Sequence, residues 1–162
     1  MISLPEIAYQ YILQQLPPNT LGIKLRVAYI LYLTEKEYLS TCKAPLFHHY
    51  LKREEGPIQK DLVQEISDHN LIIKPVTDNH LEYFSSMEMQ CIHNTLNKYK
   101  DAPLGSLNIM VKGYAYDNVF YNDYLSIKDI AIEAGLNNES LEYVNENLYL
   151  MLPPLVLYGA AK

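Results

Sequence analysis

The stretch Leu25-Arg26-Val27-Ala28-Tyr29-Ile30-Leu31-Tyr32-Leu33 limits what this chain can fold into more than any other. Only Arg26 interrupts it, so a helix built from it is apolar around most of its circumference and must be enclosed by other elements. The helix is predicted from Leu21 to about Leu39, with Asn19-Thr20 as its cap. The expected class is mainly α with a small β-hairpin (α+β), a compact helical domain around a central buried helix.

The remaining elements follow from caps, breakers and periodicity. Ser3 with Glu6 forms a capping-box pattern for a first helix, whose Ile7, Ala8, Tyr11 and Ile12 share a face and which Pro17-Pro18 ends. Lys43-Ala44-Pro45 breaks the chain before an extended segment from Leu46 to Leu51. At Gly56-Pro57 a corner is expected, with Pro57 at the first position of a helix, Gly56 in a backbone angle other residues avoid, and Glu54 and Glu55 at the positive end of the helix dipole. That helix carries Ile58, Leu62, Val63 and Ile66 and closes at Asp68-His69-Asn70. Leu71–Val76 and Leu81–Phe84 then read as a hairpin around Thr77-Asp78-Asn79-His80, with Pro75 on an edge. Ser85 with Glu88 starts an amphipathic helix through Tyr99. Pro103 and Gly105 precede a helix from about Ser106 to Tyr121. Two shorter helices run from Ser126 to Ala134 and from Asn138 to about Tyr149.

At 162 residues the chain suits one domain over 1–162, with 150–162 an apolar C-terminal strap broken by Pro153 and Pro154. Its formal net charge of −6, with 13 Lys and Arg against 19 acids and no basic block, disfavours nonspecific nucleic-acid binding. No apolar run reaches the length of a membrane span, and no secretory signal is visible at the amino terminus. Cys42 and Cys91 sit far apart outside any disulfide framework, so both are expected as reduced thiols in a cytoplasmic protein. Tyrosine supplies 15 of the 18 aromatic residues, which favours partly wet surfaces and interfaces.

The order of parts resembles the Panacea domain, also called the SocA-like antitoxin domain. The resemblance rests on Lys24-Leu25-Arg26-Val27-Ala28-Tyr29-Ile30-Leu31-Tyr32-Leu33, on Glu55-Gly56-Pro57-Ile58, and on Asn70-Leu71-Ile72, and runs from about Glu6 to Ile130. Family members commonly carry Tyr or His before Gly-Pro, where this chain has Glu55, and often a Trp in the late helix, where Phe120 or Tyr121 stands in. The resemblance implies a prokaryotic or phage antitoxin-like module that is not an enzyme, needs no cofactor or metal, and neutralises a cognate toxin by direct binding. The expected partner-binding residues are Glu54, Glu55, Tyr114, Tyr116, Phe120 and Tyr121, with Gly56 and Pro57 as the structural motif beside them.

Ile127-Lys128-Asp129-Ile130-Ala131-Ile132-Glu133-Ala134-Gly135 also resembles the opening of a LacI-type helix-turn-helix, which keeps a nucleic-acid-binding regulator as the alternative. Its second helix carries Glu139, Glu142 and Glu146 and no base, which suits a polyanion poorly. The segment from Ile58 to Phe84 could likewise form a helix and wing, with Lys52, Arg53, Lys60 and Lys74 as a thin positive edge. His48-His49 on a strand would point to opposite faces, and Cys91-x-His93 lacks a second ligand pair, so neither reads as a metal site. Asp61, Glu65 and Asp68 fall at helical spacing and read as a solvated face.

Overall fold

The computed structural model describes residues 2–150, with side chains through residue 146. The expected strap over 150–162 lies outside the described residues apart from Leu150, the last residue of a helix. The described chain is mostly helical with one small antiparallel hairpin, as expected.

Helix α1 spans Leu4–Gln15 and begins with the expected capping box between Ser3 and Glu6. Helix α2 spans Ile23–Cys42, and every residue from Arg26 to Glu35 is buried. The apolar run thus sits at the centre, with α1 and the later helices packed around it. Its N-cap is Gly22 in the left-handed region (φ 61°), not Asn19-Thr20, because Thr20 turns back on Pro17 through both its amide and its hydroxyl.

The two cations at the start of α2 reach different neighbours. The Lys24 ammonium donates to the carbonyls of Glu65, Asp68 and Asn70. Arg26 Nη1 donates to those of Tyr99, Lys100 and Ala102. Each thereby closes the carbonyl end of another helix: Lys24 that of α3 (Val63–Ser67), and Arg26 that of α5 (Ser86–Tyr99).

The Gly56-Pro57 corner is not a helix start. Strand β1 (Tyr50–Arg53) pairs antiparallel with β2 (Gly56–Gln59), and Glu54-Glu55 form the two-residue turn between them. The acidic pair therefore sits at a hairpin tip rather than at a helix dipole. Pro57 is tolerated opposite Lys52 because Lys52 directs both its amide and its carbonyl the other way, to Asp123 and Asn122. Gly56 does take a glycine angle (φ 144°), and its Cα lies where an added Cβ would stand 3.0 Å from Tyr29 Cε1. A 3-10 turn over Lys60–Leu62 then leads into α3.

The hairpin expected over 71–84 is absent, and with it the wing. Residues 71–77 form no strand, and α1 side chains take the place of a ladder. Gln10 Nε2 donates to Ile72 O at 3.0 Å and its Oε1 accepts from Lys74 N at 2.9 Å, while Gln14 Nε2 donates to Lys74 O at 2.8 Å. The supposed polar tip is the short helix α4 (Asp78–Leu81), capped reciprocally by Thr77 and His80. Helix α5 starts at the expected Ser85–Glu88 capping box.

The helix expected over 106–121 is broken into α6 (Leu104–Val111) and α7 (Tyr114–Asp117). Glu133 is the cause. Its Oε1 accepts from Ala115 N at 3.1 Å and lies 2.5 Å from where a Cβ on Gly113 would stand. Its Oε2 accepts from Tyr32 Oη and pairs with Lys36 Nζ, each at 3.1 Å. Glu133 ends α8 (Ile127–Glu133), which turns at Gly135 (φ 91°) into α9 (Asn138–Leu150).

Candidate interaction surface

The hairpin tip is fixed from three sides. Tyr29 Oη donates to Glu55 O at 2.5 Å, and Asn108 Nδ2 on α6 reaches both Tyr29 Oη (2.9 Å) and Glu55 O (3.0 Å). Tyr116 Oη on α7 donates to Arg53 O at 2.5 Å. Burial raises both phenols above their ordinary range, and the nearby Glu55 carboxylate adds to it. These hydroxyls therefore stay protonated and act as donors. Glu54 and Glu55 are exposed, on a turn whose flanking carbonyls at Arg53 and Glu55 are held by these bonds.

Residues 122–125, entered through a left-handed Asn122 (φ 67°), run along the other side of β1. Asn122 N donates to Lys52 O, Lys52 N to Asp123 O and Leu125 N to Tyr50 O, with Leu51 opposite Tyr124. The Arg53 guanidinium donates to Asn122 Oδ1 at 2.5 Å and lies 5.6 Å from the Tyr121 ring centre. Lys52 stacks its ammonium 4.5 Å from the Tyr116 ring centre, with Lys112 on the same ring at 5.7 Å.

Phe120, Tyr121 and Tyr114 are exposed, Phe120 to 83% of its surface, and Ile109 and Met110 of α6 are exposed beside Asn108. Tyr116, expected at the surface, is instead buried: it is 9% exposed and its ring packs in the core. Thus the structure brings Glu54, Glu55 and Tyr121 to one face, with Tyr116 beneath it as a strut. Asn122 and Tyr124 are exposed here as well, and Asn108 and the buried Tyr29 hold the tip through Glu55 O. Sequence reasoning missed them because their roles depend on which backbone carbonyls come near, and no spacing encodes that.

Behind the hairpin lies a second polar construction. The Glu35 carboxylate is fully buried and accepts the amides of Leu46 (2.5 Å), Phe47 (2.8 Å) and His48 (2.9 Å). Burial raises its pKa, while the three amides and the Tyr50 hydroxyl pull it back. Directly after these amides the backbone turns through two left-handed residues, His48 and His49 (φ 61° and 55°). Their rings do not point to opposite faces as expected; they stack 5.4 Å apart, and His49 meets Tyr124 edge-on at 5.5 Å. Burial, then His49, lowers the His48 pKa to about 4. Among the described residues no group of three His, Cys, Asp or Glu could hold a metal ion.

A polar groove of about 390 Å³ opens between α2, α5 and α8, lined by Lys36, Glu37, Thr95, Lys98 and Glu133 among others. Its acids are engaged: Glu37 accepts from Thr95 Oγ1 at 3.0 Å, and Glu133 has the three partners given above. Cys42 is half-buried and Cys91 buried, both as free thiols, and burial pushes Cys91 up to about 11. Asp61, Glu65 and Asp68 do not act together, since Glu65 accepts from Gln10 and Asp68 Oδ1 from Asn70 N.

The fold and this face together define a mainly helical α+β domain that holds an acidic hairpin tip and exposed aromatic rings on a fixed backbone. No protein-family model, curated protein or solved structure matches the chain. No helix among the described residues is long and apolar enough to cross a membrane.

Proposed function

We propose that this chain is an antitoxin-like protein that works in the cytoplasm and neutralises a cognate toxin by binding it directly. The observation that supports this reading is the face just described, with Glu54 and Glu55 at the hairpin tip and the exposed Tyr121 ring against Arg53 beside them; the rings of Phe120 and Tyr114 are exposed as well. Exposed rings on an ordered scaffold lose little conformational entropy when a partner covers them, which is the usual composition of an interface centre. The acidic tip and the net charge of −6 suit a basic partner and speed the encounter. In this proposal the chain occludes the toxin's working surface and catalyses nothing.

Co-expression tests the reading. The product of the neighbouring gene should arrest growth alone and be harmless beside this chain, and the two should co-purify. A neighbouring product that is harmless alone, or equally lethal in both settings, would remove it. The α8–α9 pair turns at Gly135, where the helix-turn-helix alternative would place its turn, but the exposed side of α9 presents Glu139, Glu142 and Glu146. A polyanion meeting that side would be repelled.

A further inference from the structure

We propose that the outer edge of residues 122–125 accepts an extended segment of a partner protein as an additional strand. For the partner's identity this rests on the antitoxin reading; for the chemistry of the edge it does not. The small sheet is two-stranded, β2 and β1, and on the far side of β1 a single antiparallel bridge joins Leu51 to Tyr124. Opposite Leu51, the inward bonds are made by the neighbours of Tyr124, from Lys52 N to Asp123 O and from Leu125 N to Tyr50 O. In an antiparallel ladder that arrangement turns the amide and carbonyl of Tyr124 itself away from β1. Neither has a hydrogen-bond partner among the described residues. The complement of an outward N–H and C=O at strand spacing is the backbone of one extended residue, supplying one donor and one acceptor.

Two backbone bonds carry too little to hold a partner by themselves, so side chains must add to them. Tyr124 is 51% exposed, and Phe120 and Tyr121 stand on the loop leading into the segment. Asp123 is exposed and has no ion-pair partner among the described residues. The incoming strand is therefore one that alternates apolar residues, which meet these rings, with Lys or Arg, which meets Asp123.

The test uses the full chain and a blocked peptide alternating valine and lysine, with amide hydrogen exchange at Tyr124 as the readout. We expect the free chain to exchange freely at Tyr124 and saturating peptide to slow exchange by ~10-fold or more. A peptide N-methylated at alternate residues, or one alternating valine and glutamate, should have little effect. A Tyr124 amide already protected in the free chain, meaning another part of the chain or a second copy covers it, overturns the proposal. So does absence of slowing at millimolar peptide, or equal slowing by the N-methylated peptide.

Tyr124→Pro deletes the outward donor and leaves the inward bonds of Lys52 and Leu125 in place. If it keeps its thermal midpoint, it should lose co-purification with the neighbouring gene product. Retained neutralisation by a folded Y124P overturns this proposal and leaves the antitoxin reading intact, whereas failure of the unaltered chain to neutralise removes that reading and leaves the peptide arm to decide the edge.

Discussion

Glu35 carries more of the local structure than its size suggests. A buried carboxylate without partners would be untenable, and here three consecutive amides supply them. Glu35→Ala should leave those amides unpaired and cost about 3–5 kcal/mol by urea denaturation, with Glu35→Gln intermediate. His48 gives a pH signature. Its folded pKa lies near 4, below the ordinary 6.5, so the unfolded chain takes up the proton first as pH falls. The stability it contributes is complete above about 6.5 and is lost as pH drops toward about 4. A urea midpoint followed across that range should fall, and His48→Asn, which tolerates the left-handed angle, should flatten the fall. Gly56→Ala should cost about 1–3 kcal/mol, because its φ of 144° and the Tyr29 ring both oppose a methyl group.

At the scale of elements, local signals were legible wherever the residues that decide the outcome lie close in sequence. The capping boxes at Ser3 and Ser85 placed α1 and α5, and the apolar run placed α2. The errors lie where distant side chains decide. Leu71–Val76 has strand composition, yet Gln10 and Gln14 satisfy its backbone from α1. Gly56-Pro57 reads as a helix start, yet the segment 122–125 takes the Lys52 backbone bonds and so makes proline acceptable in β2. The split between α6 and α7 depends on Glu133, which lies 18 residues from Ala115 in sequence. The exposed rings of Tyr121 and Tyr114 were foreseeable from the tyrosine excess, but the burial of Tyr116 was not. Gly113→Ala should push the Glu133 carboxylate off Ala115 N and lower the thermal midpoint, because that carboxylate is held by Tyr32 and Lys36 and has little room to yield. The measurement is a thermal melt, with Gly105→Ala as a control since nothing lies within 4 Å of its added methyl.

For the whole molecule, binding and folding should separate. Phe120→Ala and Tyr121→Ala remove exposed rings and should shift stability by less than about 0.5 kcal/mol while weakening capture of the neighbouring gene product. Tyr116→Phe removes the bond to Arg53 O and should do the reverse, costing about 1 kcal/mol in stability with capture altered only as far as the hairpin loosens. Calorimetry and pull-down on the same variants read the two effects independently. Lys24 and Arg26, two positions apart, leave α2 in nearly opposite directions and end on different helices. Fraying of that one turn would release the last carbonyls of α3 and α5 at the same instant, so two distant flanks of the protein share a single weak moment and should breathe together.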